Sequence, residues 1–131
     1  MARRRVAKDL YLSSETSEQE AVVEYCQLRR IPIVHIPNEG KRSAAYAAML
    51  KRMGLQKGFP DLFITRARGG FHGLFIEMKY GKGKTTQDQK DWLELLTAEG
   101  YACTVCYNAD EAIKIITKYD NGEKNEPRKT I

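Results

Sequence analysis

The sequence predicts an α/β fold, a mixed central β-sheet of about four or five strands flanked by α-helices. Two observations carry that expectation. Stretches with the apolar spacing of a helix are interspersed with short β-branched and apolar runs of strand length, and 131 residues suffice for one core but not two. A composition of 42% hydrophobic and 30% charged residues is that of an ordinary globular chain. Residues 1–13 are expected to form a basic arm, 14–119 a single domain and 120–131 a polar tail.

The elements follow in order. "SSETSEQEAVVEYCQLRR" predicts a first helix capped by Ser14 or Ser17, with an acidic first turn and Val22, Val23, Tyr25 and Cys26 along one face. Glu20 sits near its start, and Glu24 follows one turn later on the same side. "IPIVHIP" predicts a strand over 31–36, bounded by prolines. "AAYAAMLKRMG" is an alanine-rich helix that stops at Gly54. Within "GFPDLFITRARGGFHGLFIEMKY" lie two strands joined by a hairpin turn at "RARGG". "TTQDQKDWLELLTAEG" predicts a helix from Thr86 to Gly100, "YACTVCY" a strand and "ADEAIKIITKY" a closing amphipathic helix.

Charge narrows the classes of partner. Twenty-two Lys and Arg against 17 Asp and Glu give +5, which favours polyanions over acidic proteins or neutral sugars. No apolar run approaches the roughly 18 residues that cross a bilayer, so a cytoplasmic protein without a membrane partner is expected. Three cysteines are an odd count that argues against a disulfide framework and fits a reducing compartment. Cys103 and Cys106 have zinc-like spacing, yet a strand would turn them to opposite faces, and packing thiols are expected.

One segment departs from the pattern of a core strand. In "GLFIEMKYG", alternation places Phe75, Glu77 and Lys79 on one face and Leu74, Ile76 and Met78 on the other. An antiparallel partner that begins at Asp61 can bring a second carboxylate beside Glu77. Two adjacent carboxylates repel unless a cation lies between them, and Mg²⁺ prefers such oxygen ligands. A lysine beside them can orient a nucleophilic water or hold a phosphate. For a Glu-x-Lys tripeptide by itself, an exposed ion pair on a sheet edge is the commoner explanation. The strand context and the Pro60-Asp61 start of the preceding strand argue for chemistry instead.

These residues, together with "HIPNEGKRS", "GFPDLFI", "GLFIEMKYGKGKTTQDQ" and "EGYACTVCYNADEAI", resemble the PD-(D/E)XK nuclease superfamily. More closely, roughly residues 14–118 look like a stand-alone member of the virus-type replication-repair nuclease (VRR-NUC) family. The resemblance implies a PD-(D/E)XK nuclease-like sheet, with Asp61 and Glu77 as metal ligands, the Met78 carbonyl completing the set and Lys79 assisting the attacking water. Glu20 matches an additional acidic residue that binds metal directly or through water, although a carboxylate at a helix start also suits the dipole. Gln89 matches a glutamine that faces the site, although Thr86-x-x-Gln89 is also a capping box. Asn38, Lys41 and Arg42 look like a loop that approaches the nucleic-acid backbone, and Lys82 and Lys84 could flank the same groove. His35 is expected to pack and His72 to sit by the hairpin turn, outside the catalytic set.

By resemblance, the expected activity is Mg²⁺-dependent endonucleolytic hydrolysis of DNA, with Mn²⁺ as a substitute and no small-molecule cofactor. A homodimer acting on branched DNA such as four-way (Holliday) junctions is implied in the same way. A catalytically silent nucleic-acid-binding module, or a nuclease for flap or duplex DNA, is the alternative.

Overall fold

The structure, a computed structural model, describes residues 6–37 and 42–123, with side chains from residue 15 onward. Helix α1 spans Val6–Leu28, β1 Ile33–His35, α2 Ala44–Arg52, β2 Leu62–Ile64, β3 Leu74–Met78, α3 Gln87–Ala98, β4 Ala102–Cys106 and α4 Ala109–Asp120. Four strands in the order β1-β2-β3-β4 form one mixed sheet: β1–β2 and β2–β3 pair antiparallel, and β3–β4 pair parallel.

Helix α1 begins well before the expected caps. Ser14 and Ser17 lie inside it, and the segment from Val6 expected as part of a basic arm is helical backbone. No Gly or Pro interrupts Val6–Leu28, and an interior serine costs only about 0.5 kcal/mol relative to alanine, so propagation continues through it. Residues 1–5 of the expected arm and 124–131 of the expected tail lie outside the described residues. The helix ends in a Schellman motif: Arg30 adopts φ 59, the Ile31 N–H bonds Cys26 O at 2.8 Å, and the Arg30 N–H bonds Gln27 O at 3.1 Å. Buried Ile31 supplies the apolar contact that accompanies such an end.

Two helical layers sandwich the sheet. On one face Val22 and Cys26 of α1 and Ala112 and Ile116 of α4 cover Leu62, Ile64, Leu74 and Ile76. On the other, Leu93 and Leu96 of α3 cover Phe75, Cys103 and Val105, extended by Phe59, Phe63 and Trp92. Phe63 and Phe75 are paired across β2 and β3 and stack with ring centroids 4.2 Å apart. All residues of β3 and β4 are buried, as expected for strands covered on both faces, and full burial of each Leu or Ile is worth about 1.5–3 kcal/mol.

The hairpin turn falls where "RARGG" predicts it. Arg68 and Phe71 exchange both backbone hydrogen bonds, at 3.2 and 2.8 Å, around Gly69 (φ 56) and Gly70 (φ 91). Two successive positive φ angles define a type I′ turn, which glycines adopt at no steric cost. Arg66 Nη1 anchors the hairpin to Asp120 Oδ1 of α4 at 2.8 Å. Cys103 and Cys106 pack in the clusters on opposite faces.

One expectation about burial is corrected. His35 is exposed at the end of an edge strand and does not pack. Helix α2 has no buried residue, although its composition reads as core.

Burial pushes the Cys26 thiol up from 9.0 to about 11, and Asp120 adds to the shift. The folded state keeps this proton after the unfolded chain loses it, so the contribution to stability is whole below pH 9 and fades as pH rises towards 11. Urea midpoints measured through that window are expected to fall, and Cys26→Ala is expected to flatten the decline.

Candidate active site

The site is assembled at the end of the sheet where β1 stops, β2 starts and β3 stops. In the β2–β3 register, Leu62 faces Ile76, so Asp61 lies one step beyond, next to Glu77 in the pairing order. Asp61 is pinned from two sides. Its backbone carbonyl accepts from the Ile36 N–H at 2.7 Å, and its side-chain Oδ2 accepts from the Met78 N–H at 2.8 Å. The residue is only 8% exposed.

Glu77 is 1% exposed, on a strand covered by helices on both faces. Burying a carboxylate is expensive unless donors and positive charge meet it. Glu77 Oε2 accepts from Gln89 Nε2 at 2.9 Å and lies 3.6 Å from Lys79 Nζ. Alternation along the strand makes the second contact possible, because Glu77 and Lys79 point the same way. The Lys79 N–H also bonds Cys106 O at 2.8 Å, which carries the parallel ladder one residue past β3 and orients the lysine.

Gln89 fills both roles that its sequence position suggests. Its Oε1 accepts from the Thr86 N–H at 2.9 Å, the Thr86 Oγ1 accepts from the Gln89 N–H at 3.2 Å, and its Nε2 is left for Glu77. The cap of α3 is thus the mount for one partner of the buried carboxylate. Gly58 holds this mount in place from the preceding loop. With φ 86, it lies so close to α3 that a Cβ there would be 2.7 Å from the Asp88 carbonyl carbon and 2.9 Å from the Gln89 nitrogen.

Beside this cluster opens a cleft of about 1050 Å³. Glu20 and Glu24 of α1 line one side, and His35, Asp61, Lys79 and Tyr80 line the other. Glu20 is exposed and lines the same cleft as Asp61. Among the described residues, no three His, Cys, Asp or Glu side chains gather as a ready-made metal cage. The oxygen donors concentrated here are two carboxylates and a neighbouring backbone carbonyl, a hard set suited to Mg²⁺ or Mn²⁺ with water completing the shell.

The basic residues are more scattered. Lys82 and Lys84 are exposed on the loop whose Gly83 lines the cleft. Arg42 is half-buried just before Ser43, the N-cap of α2. Asn38 and Lys41 lie outside the described residues. Sequence reasoning missed His35 and Tyr80 as lining residues. The sequence carried no signal for His35, because its alternation is that of a packed residue and only the placement of β1 on the sheet edge exposes it.

The sequence profile of the VRR-NUC domain matches residues 13–110. The chain belongs to the VRR-NUC family. A solved structure described as a VRR_NUC domain protein is 34% identical to it, with a TM-score of 0.71 over 84% of this chain and 90% of that one. No curated protein matches the chain. VRR-NUC is a nuclease family, and this member's α/β sheet carries the family fold.

In this VRR-NUC chain Gln89→Glu separates capping from the hydrogen bond to Glu77, because glutamate at the same position still closes a capping box but meets Glu77 with an acceptor. Unchanged helix content by circular dichroism, with nuclease activity lowered by about tenfold or more, is the expected result. Gly58→Ala is expected to lower stability by about 1–2 kcal/mol in urea unfolding, since alanine must take a positive φ while its Cβ strikes α3.

Proposed function

We propose that the chain is a metal-dependent endonuclease that hydrolyses DNA phosphodiester bonds, with branched DNA such as four-way (Holliday) junctions as its preferred substrate. The observation that carries this reading is Glu77, a carboxylate with 1% exposure, held beside Lys79 and Gln89 next to an anchored Asp61 at the rim of an open cleft.

Asp61 and Glu77, with the Met78 carbonyl, would hold Mg²⁺ or Mn²⁺, and Glu20 across the cleft would join directly or through water. A hard cation bound there supplies Lewis-acid stabilisation of the phosphate and lowers the pKa of a water. Gln89 holds Glu77 in one orientation through Nε2, so the carboxylate does not have to reorganise when substrate arrives. Lys79, at 13% side-chain exposure, presents its ammonium at the cleft, where it orients the attacking water and offsets charge on the phosphate. Arg42, Lys82 and Lys84, with Asn38 and Lys41, would contact the flanking backbone and position the strand without reading bases. The excess of basic residues favours this polyanionic substrate. A homodimer suits a branched substrate because two symmetric sites can incise paired strands.

The test compares cleavage of labelled four-way junction, flap, linear duplex and single-stranded DNA in Mg²⁺, Mn²⁺ or EDTA. Metal-dependent cutting strongest on the junction, lowered by roughly a hundredfold or more in Lys79→Ala and Asp61→Ala, is expected. Tight binding without cutting on every substrate overturns the enzyme reading in favour of a silent binding module.

A further inference from the structure

Helix α2 is the middle of the connection between β1 and β2, two strands whose paired ends, His35 and Leu62, lie at the cleft end of the sheet. Both ends of that connection are therefore tied to the rim of the site. Within Ala44–Arg52 nothing is buried, and Tyr46, Met49 and the C-cap Met53 are 49%, 38% and 74% exposed. Their i, i+3, i+7 spacing puts them on one stripe of the helix. A stripe of this kind ordinarily packs into a core. Turned outward, it marks a surface that meets another molecule.

Charge selects the partner. From Glu39 to Asp61 the intervening sequence holds no carboxylate and five basic residues: Lys41, Arg42, Lys51, Arg52 and Lys57. Lys57 reaches Asp88 at 3.8 Å, with both side chains exposed. Lys51 and Arg52 close the last turn of α2, beside the apolar stripe. Two copies of so basic a surface repel, whereas a polyanion complements it. Nucleic acid offers the flat faces of its bases to Tyr and Met only where the bases are unstacked, and backbone phosphates flank such points.

We propose that α2 is a stacking surface for the opened base pairs at a DNA branch point, with Tyr46, Met49 and Met53 against the bases and Lys51 and Arg52 on the adjoining phosphates. The proposal rests on the nuclease reading and adds to it the element that discriminates branched from continuous duplex DNA. A continuous duplex exposes no base face and engages only the basic residues.

The test measures binding of four-way junction and linear duplex by fluorescence anisotropy in EDTA, where no hydrolysis occurs, for the native chain and the triple variant Tyr46→Ala, Met49→Ala, Met53→Ala. Because the three side chains are exposed, the variant is expected to keep its thermal midpoint. Its junction Kd should rise by about tenfold or more while its duplex Kd hardly moves, and Tyr46→Phe should bind like the native chain. A 2-aminopurine placed at the branch point should brighten with native protein and not with the triple variant. Junction binding unchanged in the triple variant overturns the proposal, as does an equal loss on duplex. A shift from dimer to monomer in sedimentation, accompanying the loss of binding, also overturns it and assigns the stripe to contact between copies. A native chain that binds no DNA overturns the nuclease reading itself, and this proposal with it.

Discussion

The interaction on which the site depends is the capture of the Glu77 carboxylate inside the sheet. A charge on a strand covered from both sides is tolerated only if its partners are fixed before it is buried, and each partner comes from a different part of the chain. Lys79 arrives by alternation on the same strand, at 3.6 Å. Gln89 arrives from α3, and it is presented correctly because its own carbonyl oxygen is engaged by the helix cap at Thr86. Gly58 lets the loop before β2 press against the first turn of α3, and that loop leads directly into Asp61. Asp61 then closes the circuit through the Met78 N–H, on the residue between Glu77 and Lys79. A capping motif, a tight loop and a strand register thus share one set of contacts.

Topology explains why these pieces meet at one end. The parallel pair β3–β4 requires a crossover, and the crossover helix α3 starts near the point where β3 finishes. Its N-terminus therefore lies beside the carboxyl end of β3, the place where open α/β sheets commonly build sites. The antiparallel hairpin β2–β3 sends the start of β2 to the same end, and the antiparallel pair β1–β2 does so for the end of β1. Three chain segments converge there without any long side chain reaching across the molecule. The opposite end of the sheet carries the type I′ turn and its arginine anchors on Asp120. That end stabilises the hairpin and leaves the cleft end to the charged groups.

The parts of the fold legible in the sequence were those specified by local chemistry. Gly69-Gly70 identified the turn, Thr86 and Gln89 identified the start of α3, and the period of two placed Glu77 and Lys79 together. Tertiary context hid the rest. Nothing local announced that α1 starts at Val6, because serines interior to a helix and serines that cap one are the same residues in different company. His35 alternates like a packed residue, and only the placement of β1 on the sheet edge exposes it. The apolar stripe of α2 has the spacing of a core helix, and hydrophobic periodicity cannot say whether a partner is present to cover it. For Gln89, the sequence offered capping and the site as alternatives. The amide's two ends serve one each, a solution visible only once both distances are known.

The buried carboxylate is also the strongest physical argument about why this arrangement exists. For stability alone, position 77 on a strand with Leu74, Phe75, Ile76 and Met78 calls for another apolar residue: replacing buried ion pairs by well-packed hydrophobic groups is often neutral or stabilising. Gln89 could cap α3 equally well with no carboxylate facing it. The fold therefore gains little from Glu77 that a leucine would not supply, and it bears the desolvation of a charge. Strain of this kind is expected where the charge is needed in place before a ligand arrives, since a preorganised carboxylate does not have to be assembled at the moment of reaction. Phosphodiester hydrolysis, as proposed, gives the cost a purpose. It also accounts for the direction in which the cluster opens: Glu77 stays dry at the back, Asp61 sits at the edge, and Lys79 reaches the cleft where a phosphate can approach.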